Sequence, residues 1–166
     1  MDNGPADEPR PLAVFDIDGV LADVRHRVHH VERRPKDWDA FFAAAVDDPP
    51  LQQGLALARA SAQDCEVVYV TGRPERCRRD TLEWFRRHGL PEGRLVMRDS
   101  GDRRPARFAK PQLLRRLARG RVVAVVVDDD EQVCDAYEAA GFRVMRATWM
   151  TAPDALLRAQ EVEGRT

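Results

Sequence analysis

The sequence has little cysteine and no long apolar run. Its three cysteines, Cys65, Cys77 and Cys134, form no CxxC pair and cannot all pair with one another. This pattern favours reduced thiols and argues against a cysteine zinc site. No apolar segment approaches the ~20 residues of a membrane-spanning helix, so we expect no membrane partner.

The amino terminus lacks the basic-then-apolar order of a secretory signal. Its first eleven residues, MDNGPADEPRP, are polar and proline-rich. We therefore expect a disordered arm over residues 1–11 and a cytoplasmic protein. The remaining residues, 12–166, are enough for one domain with a hydrophobic core but too few for two comfortable ones.

Lysine is also scarce, because 25 of the 27 basic residues are arginine. The formal net charge of −1 conceals an asymmetry. Residues 73–110 contain eleven arginines and Lys110 against six acidic residues. A basic patch of this kind would attract a phosphorylated substrate, whereas any single arginine in it is better explained by a solvated helix face.

Apolar, β-branched runs alternate with helical patterns along the chain. The runs predict strands at 12–17, 66–71, 94–97, 121–127 and 142–147, and the patterns predict helices at 74–89, 110–120 and 130–141. The run at 121–127 is apolar on both faces, as in a buried parallel strand. We therefore predict an α/β fold with a five-stranded, mainly parallel sheet flanked by helices. In the helix at 74–89, Cys77, Leu82 and Phe85 should face the core, and Gly89 should end it.

Residues 20–64 are too long for a simple crossover between the first two strands. We predict a small helical insert at about 22–50, over the carboxyl edge of the sheet. It is either an active-site cover or a structural flap. Within it, Trp38, Phe41 and Phe42 could stack on a base, but core packing fits their spacing better. The histidines of the insert complete no metal-ligand pattern.

Chemically active residues follow three of the predicted strands. Asp16-Ile17-Asp18-Gly19 follows the first, Thr71-Gly72-Arg73-Pro74 the second, and Asp128-Asp129-Asp130 the fourth; Lys110 opens the helix before the fourth. Each motif alone is typical of a turn. Because ligands bind beyond the carboxyl ends of parallel strands, the motifs together predict a site for a hard cation and a phosphate.

The motifs resemble those of the haloacid dehalogenase (HAD) superfamily of phosphohydrolases, whose fold is Rossmann-like. That pattern is DxDG[TV], then Thr or Ser, then Lys, then an acidic pair. The segments FDIDGVLAD, TGRPE, RDSGDRRPARFAKPQLL and VDDDEQVCDAYEAAGF are further similar to the phosphatase domain of bacteriophage-type polynucleotide kinase-phosphatase. The chain has no GxxxxGK[ST] phosphate loop, so we expect no kinase half in it.

The resemblance implies a catalytic role for two of the carboxylates. Asp16 would be the nucleophile, forming an aspartyl-phosphate, and Asp18 the general acid and base. The cofactor would be Mg²⁺, bound by the Asp16 carboxylate, the Asp18 carbonyl and Asp129, with Asp128 as a direct or water-mediated ligand.

The remaining matched positions would bind the phosphate and its neighbourhood. Thr71 would donate to a phosphoryl oxygen and Lys110 would balance the negative charge. Gly72 would let backbone amides approach the phosphate, and Arg73 and Arg104 would contact the substrate.

The resemblance implies a 3′-phosphate on a nucleic-acid end or on a nucleotide as the substrate. A phosphatase of a small metabolite, such as a sugar phosphate or a 5′-nucleotide, is the main alternative. A receiver-like signalling module uses the same residue types around Mg²⁺, but in a different order along the chain.

Overall fold

The computed structural model describes residues 8–151, 153–158 and 161–162, and its strands form one parallel sheet in the order β3-β2-β1-β4-β5. The strands are β1 (Leu12–Phe15), β2 (Glu66–Pro74), β3 (Gly93–Arg98), β4 (Val123–Asp128) and β5 (Val144–Arg146). All neighbouring strands of this sheet run parallel. The predicted α/β fold with a five-stranded parallel sheet is therefore confirmed.

Helices connect the strands. They are α1 (His29–Glu32), α2 (Trp38–Ala43), α3 (Gln52–Asp64), α4 (Arg78–His88), α5 (Ala106–Leu117), α6 (Glu131–Ala139) and α7 (Asp154–Arg158). Short 3₁₀ turns lie at Arg25–Arg27, Ala44–Asp47 and Glu75–Cys77. None of the described helices is long and apolar enough to cross a membrane.

Helix α5 begins four residues before the predicted start. It starts at Ala106, directly after Pro105, so Lys110 lies in its second turn rather than at its opening. Pro105 has an extended backbone (φ −53°, ψ 145°) and thus sets the boundary. The expected end of α4 is confirmed, because Gly89 takes the left-handed conformation (φ 62°) that favours glycine.

Two apolar layers cover the two faces of the sheet. Alternate residues of β1 face opposite sides: Ala13 and Phe15 pack in the layer that holds α3 and α4, and Leu12 and Val14 pack against α5 and α6. The fully buried Trp84 of α4 belongs to the first layer.

One predicted core residue of α4 is wrong. Leu82 is 45% exposed, whereas Cys77 and Phe85 are buried as expected. Thr81 and Trp84 turn inward instead. Residues 81, 84 and 85 share one face at helical spacing, and Leu82 lies a quarter-turn beyond it.

The chain between β1 and α3 forms short helical pieces. Trp38, Phe41 and Phe42 of α2 are buried in the first apolar layer, as their spacing predicted. An isolated bridge between Ala22 and Pro50 joins the two ends of this segment. The segment therefore packs as part of the domain at the end of β1, where the DxDG motif lies.

Residues 1–7 of the predicted arm lie outside the described residues. Arg10 in its described part donates to the carbonyls of Ala62 and Cys65, at 2.6 and 2.7 Å. These bonds hold residues 8–11 against the end of α3, on the edge of the sheet opposite to the motifs.

Candidate active site

Sheet register brings the first and fourth motifs together. Phe15 pairs with Val127, and the backbone N–H of Asp16 donates to the Val127 carbonyl at 2.9 Å. Asp16 therefore lies beside Asp128 and Asp129 at the carboxyl edge. One carboxylate oxygen of each of the three residues lies within 4.8 Å of the others. This is the clustering that the sequence predicted for a cation site.

Burial and neighbouring charge raise the pKa of two of these carboxylates, Asp16 and Asp129. Burial raises the pKa of Asp16 to about 7, since Asp128 and Asp18 add to the effect and Lys110 offsets only part of it. Burial, with Asp128 and Asp16 nearby, also raises the pKa of Asp129 well above its usual value. Three carboxylates so close together, two of them buried and Asp129 half-buried, favour a bound cation, which would relieve their repulsion.

The donor set fits a hard divalent cation. Oδ1 of Asp129 is buried and has no hydrogen-bond partner among the described residues. Carboxylate oxygens of this kind are the ligands that Mg²⁺ and Ca²⁺ prefer. Gly19 makes room for the carboxylate of Asp129, because a Cβ on Gly19 would lie 2.1 Å from Oδ2 of Asp129. The φ of Gly19, 81°, also favours glycine.

Lys110 faces two of these acids from α5. Its Nζ lies 2.7 Å from Oδ2 of Asp128 and 3.2 Å from Oδ1 of Asp16, and the residue is only 3% exposed. Burial alone would lower the pKa of Lys110, but Asp128 and Asp16 raise it well above its usual value. The ammonium therefore stays charged beside Asp16. Asp130 caps α6, accepting from the backbone N–H groups of Gln132 and Val133.

Asp18 is held by two buried arginines. Arg73 donates to its Oδ1 from Nη2 and Nε, at 2.5 and 3.0 Å, and Arg27 donates from Nη2 at 3.0 Å. Burial would raise the pKa of Asp18, but the two guanidinium groups hold it at about 2. Its carboxylate thus lies in a separate, cationic half of the site, outside the cluster of Asp16, Asp128 and Asp129.

A further carboxylate, Asp48, joins the two arginines. Its Oδ1 accepts from Arg27 Nε at 2.7 Å, and its Oδ2 accepts from Arg27 Nη2 at 2.8 Å and Arg73 Nη2 at 2.9 Å. His26 Nε2 also lies 2.7 Å from Oδ1, and Trp84 Nε1 donates to the Asp48 carbonyl at 2.9 Å. The insert therefore supplies three groups of this network, His26, Arg27 and Asp48.

Sequence reasoning missed Arg27 and Asp48. They lie outside the strand-end motifs, in a segment whose short helical pieces have no clear periodicity. The position of the insert was a usable signal. A long insert directly after DxDG must cross the edge of the sheet where Asp18 lies, so its charged residues could have been expected near Asp18. The guanidinium of Arg27 also lies 4.2 Å from the ring centre of Phe41, in a cation–π contact that helps to hold it in place.

The remaining predicted residues fall into two groups. Thr71 and Gly72 are buried at the end of β2, with the Thr71 Oγ1 accepting from the backbone N–H of Arg73 at 3.1 Å. Arg104 differs, because its exposed side chain binds Asp102 at 2.7 Å and Gln112 instead of the acidic cluster. Arg73 lies in the site, where its guanidinium donates hydrogen bonds to Asp18.

Solved structures share this fold. A chain from the "Pnkp1/Rnl/Hen1 RNA repair complex" is 22% identical with a TM-score of 0.67, and the match covers 85% of this chain and 44% of that one. A class C acid phosphatase from Bacillus anthracis is 14% identical (TM-score 0.63, coverage 86% and 69%). A haloacid dehalogenase-like hydrolase, SP0104 from Streptococcus pneumoniae, is 13% identical (TM-score 0.63, coverage 92% of both chains).

The fold and the acidic site define a HAD-type phosphatase. Residues 11–149 match the family model described as "Polynucleotide kinase PNKP phosphatase domain", and the chain belongs to that family. No curated protein matches it significantly. The chain spans less than half the length of the repair-complex chain that it matches. The expectation of an enzyme, rather than a receiver-like module, is thereby confirmed.

Proposed function

We propose that the protein is a Mg²⁺-dependent phosphomonoesterase that hydrolyses a 3′-phosphate on a nucleotide or a nucleic-acid end. One observation carries the proposal. The buried Asp16 belongs to an acidic cluster and lies beside Lys110, at the carboxyl edge of the sheet, in a chain that matches the polynucleotide kinase phosphatase domain family. A nucleophilic carboxylate needs such flanking positive charge to approach a phosphate anion.

Two groups carry the chemistry in this proposal. A carboxylate oxygen of Asp16 attacks phosphorus, the bond from phosphorus to the ester oxygen breaks, and that oxygen takes a proton from Asp18. Water then attacks the phosphorus of the aspartyl-phosphate and gives a proton back to Asp18. The bond from phosphorus to the Asp16 oxygen breaks, so phosphate is released and Asp16 is restored. Because Arg27 and Arg73 both bind Oδ1 of Asp18, we assign proton transfer to its Oδ2.

The protonation of Asp18 must change during this cycle. With both arginines on Oδ1 it is an anion, because its pKa lies at about 2. An anion is the form that accepts a proton from the attacking water. For the first step, Asp18 must take up a proton as the substrate displaces part of this cationic contact.

Neighbouring residues prepare the site for phosphate. Lys110 holds Asp16 and offsets charge, and Thr71 and the amide of Gly72 bind phosphoryl oxygens. Mg²⁺ fits the cluster of Asp16, Asp128 and Asp129, with the Asp18 carbonyl as a further ligand, and when bound it would neutralise charge on the phosphoryl group.

The 3′-phosphate assignment rests on similarity and charge. The family model is that of a polynucleotide kinase phosphatase domain, and one structural neighbour belongs to an RNA repair complex. The arginines between Arg73 and Arg107 agree in sign with a nucleic-acid partner.

A substrate panel tests this function. With Mg²⁺, we expect kcat/KM for a 3′-phosphorylated oligonucleotide or 3′-AMP to exceed that for 5′-AMP and for sugar phosphates. If oligonucleotide is the substrate, kcat/KM should also fall as salt rises, because phosphate contacts release counterions. A preference for a sugar phosphate or for 5′-AMP without salt dependence would reject the 3′-phosphate assignment and keep the phosphatase.

A further inference from the structure

A cavity lies beside the acidic cluster, between the start of α6 and the chain that follows β5. We call it the C-terminal cavity. Its volume is about 400 Å³. Of its described lining residues, four are acidic and none is basic; the acidic ones are Asp129, Asp130, Glu131 and Glu161. The cavity therefore concentrates negative charge and would attract a cation.

Asp130 has one carboxylate oxygen that the fold does not use. Its Oδ1 caps α6 by accepting from the backbone N–H groups of Gln132 and Val133, at 2.9 and 3.2 Å. Its Oδ2 is buried and has no hydrogen-bond partner in the described part of the chain, and the residue is only 3% exposed. Burial of a charged oxygen without a partner is unfavourable, and a ligand at Oδ2 would remove that cost.

Glu161 has the same kind of oxygen, in the chain after β5. Its Oε2 pairs with Nη1 of Arg107, which also donates to Gln132 at 2.6 Å. Its Oε1 is buried and unpartnered among the described residues. Burial and the charge of Asp130 raise the pKa of Glu161, while Arg107 lowers it. The two acids are thus close enough to repel each other, and Arg107 pairs with only one of them.

We infer that Asp130 and Glu161 bind a divalent cation in the C-terminal cavity, in addition to the cation proposed for the acidic cluster at Asp16. Mg²⁺ and Mn²⁺ take carboxylate oxygens, and Mg²⁺ keeps several waters when only one or two carboxylates bind it. The cavity has room for such waters. The bound cation provides a partner for both buried oxygens and joins α6 to the chain after β5.

This cation site does not follow from membership of the family. The match to the family model ends at residue 149, so Asp130 lies inside the matched region and Glu161 lies beyond it. Glu161 is also outside the cluster of Asp16, Asp128 and Asp129. The site is therefore distinct from the one that serves the proposed phosphatase reaction.

Counting bound cations tests the inference with a readout other than activity. Mn²⁺, which takes the same oxygen ligands as Mg²⁺, is titrated into the purified protein while free Mn²⁺ is measured by electron paramagnetic resonance. The wild-type protein should bind two equivalents. Glu161→Gln should bind one, with at least about a tenfold loss of affinity at the second site, because affinity depends on the number of charged ligands.

Asp130→Asn tests the other ligand while keeping the helix cap. Asparagine caps helices about as well as aspartate, so α6 should stay folded while the side chain loses its charge. This variant should also lose the second equivalent of Mn²⁺. Glu138→Gln is the matched control, because Glu138 lies on α6 with its side chain 48% exposed and pairs with Arg146. The control should bind as much Mn²⁺ as the wild-type protein.

The outcomes judge this inference separately from the proposed function. If folded Glu161→Gln and Asp130→Asn bind as much Mn²⁺ as the wild-type protein, the inference is overturned, and a proton shared by the two carboxylates replaces the cation. An equal loss of Mn²⁺ in Glu138→Gln also overturns it. Loss of one equivalent in the two cavity variants alone supports the cation site, whether or not the protein hydrolyses a 3′-phosphate.

Discussion

At the residue scale, the site separates the two aspartates that we propose as catalytic by their environment. Asp16 lies among carboxylates and beside Lys110, and its pKa is raised to about 7. Asp18, two residues later, lies between Arg27 and Arg73, and its pKa is lowered to about 2. Two identical side chains in opposite fields suit two different roles, one binding cation and phosphorus and the other exchanging a proton.

The proposed role of Asp18 predicts a dependence on the leaving group. Asp18→Asn should reduce kcat/KM for an alkyl phosphate about tenfold more than for an aryl phosphate. The reason is that an aryl oxide leaves without a proton, whereas an alkoxide requires one. Steady-state kinetics on both esters measure the difference, with Asp39→Asn as an exposed acidic control. Equal losses on the two esters would remove Asp18 from proton transfer.

Asp48 should matter for stability because it joins two buried arginines. Its side chain is fully buried, and Asp48→Ala would leave Arg27 and Arg73 to share the single carboxylate of Asp18. Loss of one partner from a buried ion pair costs about 3 kcal/mol or more. Urea unfolding should show this loss of stability.

Asp39→Ala is the matched control for Asp48→Ala, because Asp39 pairs with Arg76 at a side-chain exposure of 90%. Exposed pairs contribute about 0–1 kcal/mol, so this control should stay near wild type. Equal stability of the two variants would show that the Asp48 network contributes no more than a surface pair.

Sequence motifs predicted the residues that end strands, but not the residues from distant parts of the same chain that contact them. Asp16, Asp128 and Asp129 meet because parallel register fixes where strands end, and Lys110 reaches them from α5. The contacts of Arg27 and Asp48 depend instead on how an irregular segment folds back, over separations of 21 and 25 residues for the Arg27–Asp48 and Arg73–Asp48 pairs. Arg104 was expected at the substrate, but its neighbour Asp102 binds it locally.

At the element scale, the turn after β1 shapes the acidic cluster that we propose as a cation site. Gly19 combines a positive φ of 81° with a position where an added Cβ would lie 2.1 Å from Oδ2 of Asp129. The insert that follows this turn returns to it through the hydrogen bond from Arg27 to Asp18 and through the bridge from Ala22 to Pro50. The strand end, the turn and the insert therefore act as one unit around Asp18.

Gly19→Ala should therefore weaken activation by Mg²⁺, because the new Cβ would displace Asp129. Gly120→Ala is a matched control with a similar φ of 69° but nothing within 4 Å of the added Cβ. Both variants should lose about 1–2 kcal/mol of stability from backbone strain. Only Gly19→Ala should need a several-fold higher Mg²⁺ concentration for half-maximal activity. An unchanged Mg²⁺ requirement in Gly19→Ala would show that this contact does not shape the cation site.

At the scale of the whole molecule, the sheet order places every motif at one edge. β1 lies at the centre, with β2 and β4 beside it, so the motifs that end these three strands converge. This convergence follows from strand alternation, and the sequence therefore predicted the fold and the acidic site together. The start of α5 and the buried face of α4 were less well predicted. Pro105 determines where α5 begins, and the helical phase of α4 determines which of its residues turn inward.

The central claim is that Asp16 is the nucleophile of a Mg²⁺-dependent phosphatase. The most direct measurement is the kcat of Asp16→Asn with Mg²⁺ on a 3′-phosphorylated substrate, beside wild-type protein with Mg²⁺ and with EDTA. Thermal unfolding of the variant confirms that it is folded. We predict that folded Asp16→Asn has no measurable turnover and that EDTA stops the wild-type protein. A folded variant with activity within about tenfold of wild type, too small a loss for a missing nucleophile, would contradict the claim.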